Sequence, residues 1–278
     1  MIAQTSSQKS SKSREEKILQ LLDYVYTTYH KREFTIHDPI HWIYNYNKVE
    51  DQEIVGLVSS LLAFGNAKAF NKKIEKILSL WGSPFEGILN NTEKDFYRYL
   101  KNFKHRFVSG EVIAQLLLAV QRFIKEYGSI GKGVEQHWKS CATRDIHHLL
   151  IKFTEDLKIK AGANLTFLVP DPTKKGSCKR LLLYLRWMVR RDEIDLGCWD
   201  FISPSDLIIP LDTHIHQWAM KLGFTSSKVA NYNTSKEITK RFSEISPNDP
   251  LKYDFSLSVS GMLGKRESIL KMFRLERT

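Results

Sequence analysis

Apolar residues recur at three- and four-residue spacing along much of the chain, which is the pattern of amphipathic α-helices packed on a core. This pattern predicts helices over 53–64, 112–127, 178–189, 213–222 and 253–263. The stretch over 178–189 reads CKRLLLYLRWMV and is apolar almost all round, as expected of a central helix. Because no long stretch alternates apolar and polar residues, the sequence predicts an all-α fold.

Residues that stop helices mark the ends of three of these segments. Gly65 and Asn66 follow the first, Gly128 follows the second, and Gly223 is placed as the C-terminal stop of the helix over 213–222. The short run over 207–210 could instead be extended.

The chain shows no internal repeat and no glycine- or proline-rich linker in its interior. Residues 1–13 are polar and serine-rich, with no apolar stretch long enough for the core of a signal peptide, so we expect a disordered tail. Residues 14–278 are then expected to form one helical domain, arranged as two helical lobes around a central cleft.

Composition places the chain among ordinary globular proteins. Hydrophobic residues make up 42% and charged residues 26%, which excludes wholesale disorder and fibrous repeats. No apolar run approaches the roughly 18 residues of a membrane-spanning helix, so we expect no membrane partner. The three scattered cysteines cannot build a disulfide scaffold or a four-thiolate metal site and favour a cytoplasmic location.

The chain carries an excess of positive charge. Its 42 lysines and arginines against 31 acids give a net charge of +11, which indicates either a nucleic-acid partner or general surface charge. Seven cations and no acid lie between 172 and 191: Lys174, Lys175, Lys179, Arg180, Arg186, Arg190 and Arg191. On a helix, Lys179, Arg186 and Arg190 fall on nearly one line, which could face an anion or simply solvent.

A turn rich in proline and lysine, VPDPTKKGSCK, precedes the helix over 178–189. Ser177 is a possible N-cap, and exposed N–H groups beside Lys174, Lys175 and Gly176 would bind an anion. An ordinary turn between helices is the alternative.

The segment IIPLDTHIHQWAMKLG places Asp212 where a helix N-cap belongs. A capping carboxylate can be purely structural, or it can stabilise a developing cation or deprotonate a nearby amine. Metal binding is a third possibility, but a spacing of two is poor for ligands on a helix, so only Asp212 and His216 could share a face. We therefore expect no metal and no other cofactor.

The block from Lys179 to Gly223 resembles the helix-hairpin-helix DNA glycosylases, in which a hairpin lysine is followed by a proline, an aspartate and a helix ending in Leu-Gly. The resemblance implies that Lys179 is the nucleophile and that Asp212, 33 residues later, is its partner. This spacing is close to that of the archaeal 8-oxoguanine DNA glycosylases, with DEIDLGCWDFISPSD as an extra loop.

Two further stretches carry the resemblance, which spans roughly 50–264. SSLLAFGNAKAFNKKIEKIL resembles the early helix, loop and helix of the superfamily and implies that Phe64 and Asn66 form part of the base pocket or a wedge. DPLKYDFSLSVSG resembles a late helix of the archaeal branch and implies that Asp254 contacts the damaged base. The chain resembles still more closely an uncharacterised bacterial family related to these enzymes.

Two positions depart from the pattern. Only Gly176 remains of the two hairpin glycines, and Ser258 stands where the archaeal branch has an aromatic residue, so the damaged base is not identified.

The resemblance implies a monomeric, bifunctional DNA glycosylase and AP lyase that acts on double-stranded DNA. Neighbouring cations are expected to favour the neutral, nucleophilic form of Lys179. The residues expected to bind DNA phosphates are Lys174, Lys175, Gly176, Ser177, Arg180, Arg186 and Arg190. A DNA- or RNA-binding module without catalysis and a metal-dependent hydrolase remain the alternatives.

Overall fold

A computed structural model of the chain describes residues 2–163, 165 and 167–276, with side chains from Arg14 onward except that of His37. The tail predicted over 1–13 falls outside the described side chains, and its disorder stays a prediction.

The described chain is mainly α-helical, which confirms the all-α prediction. The helices are α1 (Ile2–Tyr29), α2 (Val49–Leu62), α3 (Ala67–Leu78), α4 (Pro84–Asn90), α5 (Glu93–Leu100), α6 (Gly110–Tyr127), α7 (Ile130–Lys139), α8 (Ile146–Ala161), α9 (Lys179–Val189), α10 (Thr213–Leu222), α11 (Tyr232–Ile245), α12 (Asp254–Met262) and α13 (Arg266–Met272). Three 3₁₀ segments cover Arg32–His37, Pro39–Asn45 and Pro204–Asp206. Strands β1 (Lys104–His105) and β2 (Val108–Ser109) pair as an antiparallel hairpin.

The five helices predicted from periodicity correspond to α2, α6, α9, α10 and α12. Gly128 and Gly223 end their helices at φ values of 93° and 82°, which are accessible to glycine without strain. The expected N-cap of α9 is wrong: Cys178, not Ser177, precedes the helix, at φ 53° and with no side-chain cap. The run over 207–210 forms no strand.

Two groups of helices meet around α2 and α9. In one, α6 packs against α5, α7 and α8; in the other, α12 packs against α1 and α10. The hydroxyl of Tyr184 on α9 donates to the Glu53 carbonyl on α2 at 3.0 Å, and Trp218 on α10 donates to the Leu257 carbonyl on α12 at 2.9 Å. These buried hydrogen bonds fix the helices that carry the candidate site. Among the described residues, no helix is long and apolar enough to cross a membrane.

Candidate active site

A cavity of about 590 Å³ opens where the N-termini of α9 and α10 approach α12. Its walls also include the loop between α2 and α3 and the turn before α9. The lining residues on which the site depends are Asp38, Phe64, Gly176, Ser177, Lys179, Arg180, Arg186, Asp212, His214, Asp254 and Ser258. The fold therefore brings together residues that are far apart in the sequence.

Lys179 and Asp212 meet at this cavity. Lys179 is the first residue of α9 and Asp212 is the N-cap of α10, and Lys179 Nζ lies 3.9 Å from Asp212 Oδ2. The lysine side chain is 38% exposed and the aspartate 16% exposed, so the pair faces the cavity mouth more than the core. The pairing expected from the sequence is thus present as an amine beside a carboxylate.

Two hydrogen bonds hold the carboxylate of Asp212 in place. Its Oδ1 accepts from the Ile215 N–H at 2.7 Å as a helix cap, and its Oδ2 accepts from the Ser258 hydroxyl at 2.9 Å. One oxygen therefore caps α10, while the other is directed towards Lys179. Ser258, noted in the sequence only as a departure, positions the second oxygen.

Arg186 and Arg190 correct the expectation of a phosphate-facing line on α9, because both side chains are almost completely buried. Arg186 pairs with Asp254 at 2.5 Å and with Asp195 at 3.2 Å. Arg190 pairs with Asp195, and also with Asp192 and Asp249 at 2.9 and 2.8 Å. Buried guanidinium groups need carboxylate partners, and those partners are supplied from the loop after α9 and from the region around α12.

Arg180 is also not free to make the expected phosphate contact. Its guanidinium donates to the Leu61 carbonyl at 2.7 Å and to the Phe167 carbonyl at 2.9 Å. The cations of α9 therefore do not converge on Lys179, contrary to the sequence expectation, since each engages other partners.

Asp254 lines the cavity, but its side chain is almost completely buried. Burial raises the pKa of its carboxyl to about 6, although Arg186 acts in the opposite direction. A carboxyl of this kind can exchange a proton near neutral pH, as catalytic and ligand-binding acids do.

Asp38 and His214 are cavity residues that the sequence reasoning did not assign. Asp38 Oδ1 accepts from the Ile40 N–H at 3.0 Å, and burial raises the pKa of its carboxyl. His214 has a buried Nδ1 with no hydrogen-bond partner among the described residues. Gly261 packs tightly behind it, because an added Cβ would lie 2.8 Å from His214 Cβ. His214 belongs to the segment IIPLDTHIHQWAMKLG, which the sequence singles out, whereas no local sequence pattern pointed to Asp38.

Phe64 and Asn66 have different surroundings in the structure. Phe64 lines the cavity, with the Arg180 guanidinium 5.1 Å from its ring centroid. Asn66 is the N-cap of α3 and accepts from the Ala69 N–H at 3.2 Å. Asn66 is not among the residues that line the cavity.

The turn before α9 keeps its predicted cations at the surface. Lys174, Lys175 and Gly176 are exposed, and Ser177 is half-buried. The turn also borders a second cavity of about 380 Å³, together with Asn231 and Lys236 at the start of α11. A Cβ added at Gly176 would meet no atom, so this glycine is not required by a close approach within the chain.

Asp212 and His216 are not arranged as a pair of metal ligands. His216 Nε2 lies 2.7 Å from the Ser227 carbonyl, so this nitrogen is the donor and is not free to bind a metal with Asp212. Within the described part of the chain, no three His, Cys, Asp or Glu side chains are grouped to hold a metal ion.

Comparison with known proteins gives one match. No curated protein and no solved structure matches the chain. A family model described as a protein of unknown function, DUF2400, matches residues 38–263. That range contains every residue that lines the larger cavity, from Asp38 to Met262. Since the match covers well over half of the 278 residues, the chain belongs to the DUF2400 family.

Proposed function

We propose that this chain is a DNA base-excision repair glycosylase with AP lyase activity, in which Lys179 attacks C1′ of a flipped nucleotide and Asp212 assists. The observation that carries the proposal is the 3.9 Å approach of the Lys179 amine to the Asp212 carboxylate at a cavity of about 590 Å³. Pockets that bind small ligands have volumes of about 300–1,000 Å³, so a flipped nucleoside matches this cavity in size.

The geometry supports a defined order of events. Asp212 Oδ2 is the carboxylate oxygen beside Lys179, and it can accept the proton that the amine must lose before it attacks. Asp212 passes this proton on to the departing base and, ionised again, stabilises the positive charge that develops on the sugar as the bond between base and sugar breaks. The amine then bonds to C1′, and the base leaves with the bonding electrons and takes up a proton. A proton then moves from the adduct nitrogen to O4′, the C1′–O4′ bond breaks, and the nitrogen lone pair forms the Schiff base. Loss of a C2′ proton and departure of the 3′-phosphate cleave the strand beside the vacated position.

The polar walls supply the proposed base recognition. Asp254 and Asp38 offer oxygen acceptors to N–H groups of a base, and the His214 side chain lines the same cavity. Lys174 and Lys175 in the turn before α9 remain the proposed phosphate contacts, with Gly176 and Ser177. The partner is double-stranded DNA, bound by a monomer whose net charge of +11 favours the encounter.

Borohydride trapping tests the chemistry, because reduction of a Schiff base links the protein covalently to DNA. The substrates are duplexes that carry 8-oxoguanine, uracil, an alkylated base or an abasic site. We expect an adduct with at least one of them and none with Lys179→Gln. The matched control is Lys221→Gln, because Lys221 is similarly exposed and also pairs with a carboxylate, 3.3 Å away on Glu267.

Three results would contradict the proposal. An adduct that forms equally well with Lys179→Gln removes the assigned nucleophile. Salt-dependent DNA binding with neither base release nor an adduct indicates a binding module with this fold. Stoichiometric metal in the purified protein, required for hydrolysis, indicates the metal-dependent alternative.

A further inference from the structure

The second cavity, of about 380 Å³, lies between the turn before α9 and the N-terminus of α11. We call it the α11 cavity. It is separate from the cavity of Lys179 and Asp212, since Gly176 is the residue that the two linings share. The lining residues that matter for its chemistry are Asp145, His147, Lys174, Lys175, Tyr232 and Lys236.

His147, in the first turn of α8, joins the walls of the α11 cavity. Its Nε2 donates to the Pro172 carbonyl in the turn before α9 at 2.9 Å. Its ring also packs on the Tyr232 ring of α11, with centroids 4.7 Å apart. One side chain therefore ties together three elements that are distant in sequence, and the cavity between them has defined walls.

Positive charge dominates the lining of the α11 cavity. Lys174, Lys175 and Lys236 are exposed there. Within the described chain, neither Lys175 nor Lys236 has a carboxylate within ion-pair distance. Asp145 is the one acid among the described lining residues, and its Oδ1 is engaged as the cap of α8, accepting from the His147 N–H at 3.0 Å. The lining therefore favours an anion.

The N-terminus of α11 adds hydrogen-bond donors to this charge. Asn231, Tyr232 and Asn233 line the cavity at the start of the helix. The Asn231 side chain accepts from the Thr234 N–H at 2.9 Å, which leaves the N–H groups of Tyr232 and Asn233 without an intrahelical acceptor. The helix has 14 residues, and the positive end of its dipole attracts negative charge.

A buried hydroxyl is the independent sign of a ligand. Tyr232 is only 8% exposed, and its hydroxyl has no hydrogen-bond partner among the described residues. Burial raises the pKa of this hydroxyl, so it keeps its proton and stays a donor. A buried donor without an acceptor costs free energy, which an oxygen atom of a bound ligand would recover.

We propose that the α11 cavity binds a phosphate monoester through Lys236, the first-turn N–H groups of α11 and the Tyr232 hydroxyl. A monoester carries a charge of about −1.5 to −2 at pH 7 and three acceptor oxygens, which match the cations and donors of the lining. A phosphate within a DNA strand carries one charge, and its chain must enter and leave the cavity, so a terminal phosphate fits better.

The phosphate can belong to a small phosphorylated compound or to the end of a nucleic-acid strand. The inference goes beyond the proposed function, because it requires no chemistry at Lys179.

Titration with methyl phosphate, followed by phosphorus NMR at fixed ionic strength, tests the site. Methyl phosphate is a monoester without a base, and dimethyl phosphate is the matched diester. We expect methyl phosphate to bind at one site with a Kd on the order of 1 mM. Dimethyl phosphate should bind roughly tenfold more weakly, because it has one negative charge fewer.

Two variants remove assigned contacts. Tyr232→Phe loses a hydrogen bond to a charged group and should weaken methyl phosphate binding by roughly 10- to 100-fold. Lys236→Gln loses an exposed ionic contact and should weaken it by roughly 2- to 5-fold. Without phosphate, Tyr232→Phe should melt no lower than the wild type, because its hydroxyl has no partner among the described residues to lose.

Two matched controls should bind methyl phosphate as the wild type does. Tyr253→Phe changes another buried tyrosine, whose hydroxyl instead donates to Asp23 at 3.2 Å. Lys240→Gln removes an exposed lysine one turn further along α11, outside the residues that line the cavity.

Binding that is absent, or that either Tyr232→Phe or Lys236→Gln leaves unchanged, overturns the site, and equal binding of dimethyl phosphate overturns the choice of a monoester. Competition by duplex DNA identifies the source of the phosphate. Displacement of methyl phosphate by a duplex with a 5′-phosphate, but not by one with a 5′-hydroxyl, indicates a strand end. Displacement by neither indicates a small compound, and displacement by both contradicts the proposal, because the DNA backbone then occupies the cavity.

The site and the proposed function fail separately. Tyr232→Phe and Lys236→Gln should both form the Lys179-dependent adduct as the wild type does. Phosphate binding that depends on Tyr232 and Lys236 supports the site even where no adduct forms, and an adduct without phosphate binding removes the site alone.

Discussion

Replacement of Asp212 can separate its observed role as a helix cap from its proposed role beside Lys179. In Asp212→Asn, an amide oxygen can still accept from the Ile215 N–H and cap α10, but the negative charge beside Lys179 is lost. In Asp212→Ala, both the cap and the charge are lost. We therefore expect the two variants to share a catalytic defect and to differ in stability.

The size of the catalytic defect follows from the geometry. A cationic sugar carbon at the 3.9 Å separation seen for the Lys179 amine gains about 4 kcal/mol from the carboxylate at an effective dielectric constant of about 20. That free energy corresponds to roughly a 1,000-fold change in rate. Because Asp212 is 16% exposed, solvent screens part of it, and we expect a loss of about 100- to 1,000-fold.

Single-turnover base release and thermal unfolding measure the two effects separately. Asp212→Ala should lose about 1 kcal/mol of cap energy and melt about 2–4 °C lower, while Asp212→Asn should melt near the wild type. Activity of Asp212→Asn within tenfold of the wild type would refute the electrostatic role. Equal melting temperatures of the two variants would refute the capping role.

Three further predictions concern the walls of the cavity. Arg186→Leu leaves Asp195 and Asp254 buried without their shared cation and should lower the free energy of unfolding by about 3–5 kcal/mol, measured in urea; a loss below about 1 kcal/mol would contradict the buried pairing. Because the folded pKa of Asp254, about 6, is above its ordinary value, the folded state holds the proton more tightly, so its contribution to stability is present below pH 4 and is lost as pH rises through 6. The urea midpoint of the wild type should accordingly fall over this window relative to that of Asp254→Asn, and parallel curves would show that Asp254 does not titrate there. Gly261→Ala should destabilise the fold by about 1–3 kcal/mol because its Cβ meets His214, and His214→Ala in the same chain should restore most of the loss; additive effects in a double-mutant cycle would exclude this contact as the cause.

The sequence predicted the helices whose apolar residues are most regular, and it missed others for physical reasons. The helix α10 was predicted with its observed bounds, because Asp212 and Gly223 mark both ends. Shorter helices such as α4 and α5 begin with side-chain caps at Ser83 and Thr92, but they have only seven and eight residues, about two turns, which is too short for a repeating apolar pattern. The hairpin of β1 and β2 has only two residues in each strand, too few for an alternating pattern.

The candidate site was predictable where one local motif carried both geometry and chemistry. Asp212 is placed by its helix cap, whereas Lys179 was singled out from its six neighbouring cations only by the resemblance. The burial of Arg186 was not predictable from a helical wheel, because Asp195 and Asp254 reach it from elements distant in sequence. Asp38 likewise reaches the cavity only through tertiary packing.

The buried ion pairs change what the positive charge of this chain can do. Arg186 and Arg190 form buried ion pairs with carboxylates that fix α9 against α12 and the intervening loop. These two arginines therefore contribute to the rigidity of the cavity walls and add no attraction for an external anion. Attraction at long range must come from exposed lysines such as Lys174 and Lys175. Dissolved salt screens the electric field of these exposed charges. Because the two sets of cations are spatially separate, salt can weaken the proposed encounter with DNA without disturbing the 3.9 Å approach of Lys179 to Asp212. The sequence presents all these cations as one cluster, and the fold divides them into one part that shapes the site and another that can draw a polyanion to it.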